Sequence, residues 1–174
     1  MHHTRVWSLF TNNASDMLRD GALTLTDRGE GDLRLLGGER QAFRAQFDNV
    51  PEGNMLYRFA REMQEGDFVL LHQGRGKGVD VCRVTGEYDC DGAHRRPIRY
   101  VQRLLPGDIS AGAQREITYA SASVLFEVRR YAPEFLGDMG EVEVPEDGTA
   151  AERFAVRWAR HRRFMEQRKA VTVR

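Results

Sequence analysis

Several aromatic, amide and imidazole side chains lie at or beside the predicted ends of short strands. A pocket that reads an extruded nucleobase needs flat rings for stacking, and amide or imidazole groups for the Watson–Crick edge. The candidate base-pocket residues are Trp7, Asn12, Asn13, Asn54, Tyr57, His72, Gln73 and Tyr88. An aromatic residue on a short strand is also a common core residue, so burial in the core is the alternative for each ring.

A glycine-rich basic segment, Gly74-Arg75-Gly76-Lys77-Gly78, joins two predicted strands. It departs from a nucleotide-binding phosphate loop, because that pattern needs Ser or Thr after Gly-Lys and a helix after that. A basic hairpin tip that contacts phosphates and a solvated turn without a role are the two remaining interpretations. With basic residues elsewhere in the chain, the candidate phosphate ligands are Arg75, Lys77, Arg95, Arg96, Arg157 and Arg160.

Residue types that could support catalysis or bind a metal are present, but their spacing is unfavourable. The acidic run Glu87–Asp91 is not followed by a lysine, as a magnesium-dependent nuclease site would require. No serine lies in a Gly-x-Ser-x-Gly turn. Cys82, Cys90 and His94 do not have the spacing of a zinc motif. We therefore predict a binding protein rather than an enzyme, with no catalytic residues, no metal and no cofactor.

Charge is balanced over the whole chain but unevenly distributed along it. The 174 residues include 26 Lys and Arg and 26 Asp and Glu. Residues 134–147 contain acidic side chains and no basic ones, whereas residues 153–174 are strongly basic. Such segregation allows a local phosphate-binding surface on a neutral protein. Nearly all the basic residues are arginine, which suits phosphates and guanine edges. Codon usage in a GC-rich genome is the alternative explanation.

The bulk composition is that of one globular domain. Hydrophobic residues make up 41% and charged residues 30% of the chain, which is ordinary for a protein in water. No apolar run approaches the roughly 18–20 residues of a membrane span, and the first residues lack a signal-peptide apolar segment. We therefore predict a cytoplasmic protein with no membrane partner.

The hydrophobic pattern predicts short strands separated by small helices. Strands are predicted at Val6–Phe10, Phe68–His72, Val79–Val84, Ile98–Leu104 and Val124–Val128. Helices are predicted at Ala14–Arg19, with Asn13 as its cap, and at about Gly53–Gln64, while Leu23–Leu36 is predicted to be a loop entering or linking short strands. Five or so short strands with few helices suit a twisted barrel better than a doubly wound parallel sheet.

The C-terminal part of the chain has a different pattern. Phe154, Trp158, His161 and Met165 recur at helical spacing beside a stripe of arginines, which predicts an amphipathic helix over about Thr149–Lys169. The predicted organisation is a domain over 1–132, an acidic loop over 133–148 and a basic amphipathic helix over 149–174 that packs on the domain or extends it.

The order of short motifs resembles the PUA-like superfamily, specifically EVE-type domains. Gly66–Gln73 is similar to their Gly-Asp-x-Val-Leu-Phe-Tyr-His-Ser pattern, with Leu71 and Gln73 in place of Tyr and Ser. Three further segments are similar to the N-terminal modified-base-sensing domains of Mrr-like modification-dependent restriction endonucleases, namely Phe59–Asp67, Cys82–Cys90 and His94–Tyr100. The resemblance covers roughly residues 5–128.

This resemblance implies an α+β fold built on a PUA-like twisted small β-barrel of about five to six strands, with short flanking helices. It implies binding to duplex DNA, with a methylated, hydroxymethylated or glucosylated cytosine flipped into an aromatic and amide pocket, as in restriction or defence systems. In the relatives a nuclease domain follows. The segment after Val128 is too short for one, so the expected protein is a reader, meaning a binding module without nuclease activity.

Three alternatives stay open at this point. The first is an RNA-binding PUA-like domain, and the second is a small-molecule enzyme or sensor that uses the same pocket. The third is an interaction subunit that docks a partner nuclease or ATPase through its C-terminal helix. A homodimer with a seam around Trp158 is also compatible with the sequence.

Overall fold

The computed structural model describes residues 4–25, 31–47, 50–74, 76–119 and 124–136. The predicted C-terminal helix, including Arg157 and Arg160, lies outside the described residues, and so does Arg75. Most of the predicted acidic loop lies outside them as well.

The described strands form one curled, half-barrel sheet. They are β1 (Val6–Phe10), β2 (Ala22–Leu25), β3 (Phe68–His72), β4 (Val79–Val84), β5 (Asp89–Cys90), β6 (His94–Leu104) and β7 (Leu125–Val128). The strand order is β2-β6-β4-β3-β1-β7, and β5 pairs with β6 off this path. β1 and β3 are parallel, whereas the other pairs are antiparallel.

Short helices flank the sheet. They are α1 (Ala14–Asp20), α2 (Arg40–Gln46), α3 (Val50–Tyr57), α4 (Ala111–Tyr119) and α5 (Ala132–Leu136). A π-helical segment, Arg58–Glu62, follows α3 directly, and 3-10 turns lie at Leu33–Leu35 and Pro106–Asp108. None of the helices in the described ranges combines the length and apolar character that a membrane crossing requires.

Two hydrophobic cores lie on opposite faces of the sheet, because side chains alternate along each strand. Trp7 and Leu9 of β1 belong to the first core, together with residues of α2, α3 and the π-helical segment such as Phe43, Leu56 and Phe59. Val6 belongs to the second core, together with residues of β3, α4 and α5 such as Leu70, Ile117 and Phe135.

The structure confirms the predicted α+β class with a curled, barrel-like sheet. The predicted strands Val6–Phe10, Phe68–His72 and Val79–Val84 match β1, β3 and β4. Strand β6 begins earlier than predicted and includes Pro97, which has no N–H to donate. The ladder continues around it because the Pro97 carbonyl accepts a hydrogen bond from the Thr85 N–H at 3.0 Å.

Several predictions of local structure are wrong. The acidic segment is not a loop throughout, because α5 covers its first residues. Phe135 of α5 is buried in the second core, and the Glu134 carboxylate accepts hydrogen bonds from the Ser110 N–H and hydroxyl at 2.6 and 2.7 Å. Helices α2 and α4 were not predicted, and the predicted loop at residues 23–36 contains most of strand β2.

Candidate functional site

A polar cavity of about 350 Å³ lies beside the N-terminal end of β1. It is lined by Arg5, Trp7, Arg40, Arg58, Glu62, Phe126, Glu127 and Arg129, and we call it the arginine-lined cavity. Four arginines and two glutamates give this lining a net charge of plus two. A cavity with this charge favours an anionic ligand.

The pairing of β1 with β7 brings together residues from the two ends of the described chain. Trp7 lies directly opposite Glu127, so their side chains share one face of the sheet. Arg5 precedes β1 and Arg129 follows β7. Because the two strands are antiparallel, these two arginines lie at the same end of the sheet.

The π-helical segment supplies the opposite wall. Arg58 and Glu62 are its first and last residues, and both line the cavity. The Met63 N–H donates to the Arg58 carbonyl at 2.8 Å, five residues back, which widens the turn. Arg58 and Glu62, which are four residues apart, therefore lie on the same side of the π-helical segment. Such segments are rare and are frequently found at functional sites.

The arginines of the cavity are held by carboxylates and by backbone carbonyls. Arg40 forms an ion pair with Glu62, and Arg129 forms one with Glu127 at 3.1 Å. The Arg58 guanidinium donates to the Leu125 carbonyl at 3.0 Å. Burial lowers the pKa of Arg58, and the nearby charge of Arg40 lowers it further. Arginine remains protonated in proteins, so an anion placed beside Arg58 would offset both unfavourable effects.

Asp67 connects the floor of the cavity to the strand and helix that build it. Its fully buried carboxylate accepts hydrogen bonds from the Trp7 indole N–H at 2.9 Å and from the Arg5 N–H at 3.0 Å. It also accepts from the Gln64 N–H at 3.0 Å, just after the π-helical segment. The Trp7 ring is itself fully buried, and the Arg5 guanidinium lies 5.9 Å from its centre. Trp7 thus supports the cavity from beneath.

Four of the predicted base-pocket residues lie at one end of the sheet, where two neighbouring strands finish. Asn12, Asn13, His72 and Gln73 lie at the carboxyl ends of β1 and β3, which coincide because the strands are parallel. Both asparagines and Gln73 are exposed. Trp7 is on the other face, because it pairs with Val69 whereas His72 pairs with Phe10. The prediction of a single pocket with a Trp7 wall and a His72 edge is therefore wrong.

His72 is an interior residue whose two ring nitrogens are both engaged. Its Nδ1 accepts a hydrogen bond from the Gly74 N–H at 3.2 Å. Nε2 then carries the proton of the neutral ring and donates to the Ser8 hydroxyl at 2.8 Å. Ser8 in turn donates to the Ile117 carbonyl at 3.4 Å. Because the imidazole is buried and bonded in this way, the predicted base contact of His72 is wrong.

The buried His72 makes stability depend on pH. Burial lowers its pKa from 6.5 to about 4, so between these values the unfolded chain binds more protons than the folded protein. This stabilisation is complete above pH 6.5 and is lost as the pH falls towards 4. We expect the free energy of unfolding to fall by up to about 3 kcal/mol over this window from His72 alone. The test compares the parent protein with H72Q by urea unfolding at several pH values. The free energy of unfolding should depend on pH clearly less in H72Q than in the parent between pH 4 and 6.5. The same pH dependence in both proteins would contradict the assignment to His72.

Tyr88 is also a core residue rather than a pocket wall. It is buried, and its hydroxyl accepts from the Leu33 N–H at 3.2 Å and hydrogen-bonds His94 Nδ1 at 2.8 Å. Burial raises the pKa of Tyr88 to about 12. The expectation that Tyr88 stacks on a base is wrong, because the ring has no exposed face.

Asn54 and Tyr57 lie on α3 and not at the strand ends that carry Asn12 and Gln73. The Asn54 side-chain carbonyl accepts a hydrogen bond from Arg44 at 2.9 Å. Tyr57 is half-buried, and the guanidinium of Arg40, a cavity residue, lies 5.2 Å from its ring centre. Tyr57 is therefore adjacent to the arginine-lined cavity through Arg40.

The three predicted phosphate ligands that lie within the described residues, Lys77, Arg95 and Arg96, do not form one site. Lys77 is exposed in the connection between β3 and β4, and Arg95 is half-buried on β6. Arg96 is buried, and its guanidinium donates to the Phe59, Ala60 and Gly86 carbonyls at 2.6, 3.2 and 3.2 Å. The prediction that Arg96 contacts phosphate is therefore wrong, because its donors bind backbone oxygens in the interior.

Most residues of the arginine-lined cavity were not predicted as site residues. They come from residues 5–7, 40, 58–62 and 126–129, and no local motif joins these segments. The abundance of arginine was the available signal, but it does not indicate which arginines converge. Among the described residues, no group of three or more His, Cys, Asp or Glu is arranged to bind a metal ion.

Comparison of the chain with known proteins gives one match, to a family model. No curated protein and no solved structure matches the chain. A family model matches residues 16–118, which run from α1 to α4 and include Arg40, Arg58 and Glu62 of the arginine-lined cavity. Because this match covers more than half of the 174 residues, the chain belongs to the family described as "Domain of unknown function (DUF8426)".

Proposed function

We propose that this domain is a nucleic-acid-binding module that reads a modified cytosine in DNA, with the arginine-lined cavity receiving the extruded nucleotide. The observation that carries the proposal is the lining of the cavity by four arginines beside two glutamates. Nucleotides present a negative phosphate, a flat ring and a polar base edge. The lining offers a group suited to each of these.

The polar groups match the chemistry of a cytosine edge. A carboxylate accepts from the exocyclic amino group of cytosine, and guanidinium groups donate to its ring nitrogen and carbonyl. Glu62 and Glu127 are the acceptors in the lining, while Arg5 and Arg58 are donors bound to backbone carbonyls. A base can stack on a guanidinium plane, and the arginines of the lining supply such planes.

The size of the cavity is compatible with this ligand. Its volume of about 350 Å³ falls within the roughly 300–1,000 Å³ that is typical of small-molecule sites. The desolvated Arg58 would gain most from a phosphate, because hydrogen bonds between ionised groups are about twice as strong as neutral ones.

The sequence resemblance narrows the proposal from nucleic acid to modified DNA. The motifs in residues 59–73, 82–90 and 94–100 resemble EVE-type and Mrr-like base-sensing domains. The curled half-barrel sheet is compatible with a PUA-like fold. Both points support a module that binds a modified base, and neither of them implies a catalytic reaction.

The test is binding to matched short duplexes, measured by fluorescence polarisation at two salt concentrations. The duplexes contain cytosine, 5-methylcytosine, 5-hydroxymethylcytosine or glucosylated cytosine. We expect the protein to prefer one modified duplex, and R58Q to weaken that binding by roughly 10–100-fold, as expected for a lost hydrogen bond to a charged group. The control is R19Q, since Arg19 is an exposed residue of α1 that pairs with Asp16 at 3.0 Å. We expect R19Q to bind each duplex with the same affinity as the parent protein.

Other outcomes would change the assignment. Equal losses by R58Q on modified and plain duplexes would show that Arg58 contributes general attraction to phosphates and not the preference for the modified nucleotide. Stronger binding to structured RNA than to every duplex would favour an RNA-binding domain. A melting temperature of R58Q close to that of the parent is required for each comparison, because Arg58 also holds the Leu125 carbonyl.

A further inference from the structure

One carboxylate of α4 holds the connection between β7 and α5. Glu116 Oε1 accepts hydrogen bonds from the Arg129 N–H at 2.9 Å and from the Arg130 N–H at 3.0 Å. Its Oε2 accepts from the Tyr131 N–H at 2.8 Å. Backbone N–H groups need partners, and these three follow the last residue of β7. Glu116 therefore sets the course of the chain as it leaves the sheet.

Helix α4 gives Glu116 a fixed position. The helix buries Ala113 and Ile117 in the second core, on the face of the sheet opposite to the first core. Its start is bonded to α5 as well, because the Glu134 carboxylate accepts from the Ser110 N–H and hydroxyl. Helix α4 is thus attached at two points to the segment that follows β7.

Arg129 transmits this constraint to the arginine-lined cavity, which it lines. The ladder between β1 and β7 ends at Val128, one residue before Arg129. The Arg129 side chain is 80% exposed, and among the described residues the polar partner of its guanidinium is Glu127 at 3.1 Å. An exposed pair within one strand holds a side chain weakly. The place of this guanidinium relative to Arg58 therefore depends on the backbone of Arg129, and so on Glu116.

A positioning effect of Glu116 can be separated from the effect of its charge. Glu116 is not among the residues that line the cavity, so any influence on a ligand there is indirect. Removal of a nearby negative charge strengthens the binding of an anion, because it removes repulsion. Loss of the three hydrogen bonds would displace Arg129 and weaken binding. The two effects have opposite signs.

We infer that Glu116 is a positioning residue of the arginine-lined cavity, which places Arg129 to contact the phosphate of the extruded nucleotide. This inference rests on the proposed function and deepens it, since it makes the affinity of the cavity depend on a helix on the other face of the sheet. Binding groups must be held to within about 0.5 Å of their productive geometry, so a small shift of the Arg129 backbone is sufficient.

The test is a double-mutant cycle with E116A, R129Q and the variant that carries both. Affinity is measured by fluorescence polarisation for short duplexes with cytosine, 5-methylcytosine, 5-hydroxymethylcytosine or glucosylated cytosine. We expect E116A to weaken binding of the preferred duplex by roughly 3–10-fold, a typical coupling between residues in contact. In the R129Q background E116A should cause no further loss. The same fold loss in both backgrounds would show a merely structural role and overturn the inference.

E116Q tests whether the hydrogen bonds are what matters. With its amide oxygen at the place of Oε1, glutamine keeps the bonds from Arg129 and Arg130 and loses the bond from Tyr131. We expect E116Q to bind more tightly than E116A. Tighter binding than the parent by both variants would assign the effect to charge and overturn the inference. The control is D16A, which removes an exposed carboxylate paired with Arg19 and should bind as the parent does.

The fold is expected to persist in E116A, because Arg129 and Arg130 are exposed and water can bond their N–H groups. If E116A does not fold, E116D provides the same cycle. It keeps the charge and withdraws the carboxylate by one methylene, so it should weaken binding in the parent background and not in R129Q.

Failure of the inference can be told apart from failure of the proposed function. If the parent protein prefers a modified duplex but R129Q binds as the parent does, Arg129 does not contact the ligand. The inference is then overturned and the proposed function stands. If the parent protein binds none of the duplexes, the proposed function fails and the inference fails with it.

Discussion

Replacement of Asp67 by alanine is expected to lower the free energy of unfolding by about 3–5 kcal/mol. The carboxylate is fully buried and accepts from the Trp7 indole and from the backbone N–H groups of Arg5 and Gln64. Each donor left buried without a partner costs about 1–3 kcal/mol. Because small domains are stable by only about 5–15 kcal/mol, this loss is a large share of the total.

Urea unfolding monitored by circular dichroism measures the effect. The matched control is D16A, since Asp16 is an exposed aspartate whose ion pair with Arg19 is on the surface. Exposed pairs contribute little, so D16A should leave the unfolding curve close to that of the parent. A loss of less than about 1 kcal/mol in D67A would mean that water or relaxation satisfies the three donors. Asp67 would then not be the connection between cavity and sheet.

The second large effect is expected from Arg96. R96M should lower the free energy of unfolding by about 2–4 kcal/mol, because it leaves the Phe59, Ala60 and Gly86 carbonyls without the guanidinium. Two of these carbonyls belong to the π-helical segment, near its C-terminal end, where backbone oxygens lack helical partners. Burial lowers the pKa of Arg96 to about 10, so its charge is costly by itself. The carbonyls remain in the variant, so removing that charge does not remove their need for donors.

The matched control is R99Q on the same strand. Arg99 is exposed, so R99Q should change stability much less than R96M does. R96M should leave the slope of log affinity against log salt for a duplex unchanged at temperatures where the variant is folded. A stable R96M protein with a reduced slope would restore the prediction that Arg96 contacts phosphate.

Local sequence was sufficient for the strands with strong apolar runs. β1 and β3 combine successive β-branched, aromatic or leucine residues, and a Gly-Asp turn precedes β3. β4 has valines at 79, 81 and 84. The missed helices have a weaker signal. In α2 the buried side chain is Phe43, and α4 begins with Ala-Gly and buries Ala113 and Ile117. Two apolar positions at helical spacing are too few to predict a helix without the sheet that covers them.

The aromatic rings show why residue type was a poor guide to the site. Trp7 and Tyr88 have the chemistry of a stacking wall, yet both are buried. Their hydrogen-bonding groups meet partners 60 and 55 residues away, at Asp67 and Leu33. A ring on a short strand can face core or solvent, and the choice depends on which elements cover that face. This information comes from distant parts of the chain.

The sequence by itself determined the α+β class, the positions of three strands, and a surplus of arginine suited to phosphate. Alternation along β1 was also readable, so Trp7 and Ser8 had to face opposite sides. Only the tertiary structure decided that β1 pairs in parallel with β3, which separates Trp7 from His72. It also decided that arginines from residues 5, 40, 58 and 129 line one cavity. The physical reason is that electrostatic and hydrogen-bonding forces depend on distances in space, which residue spacing does not specify across separate elements.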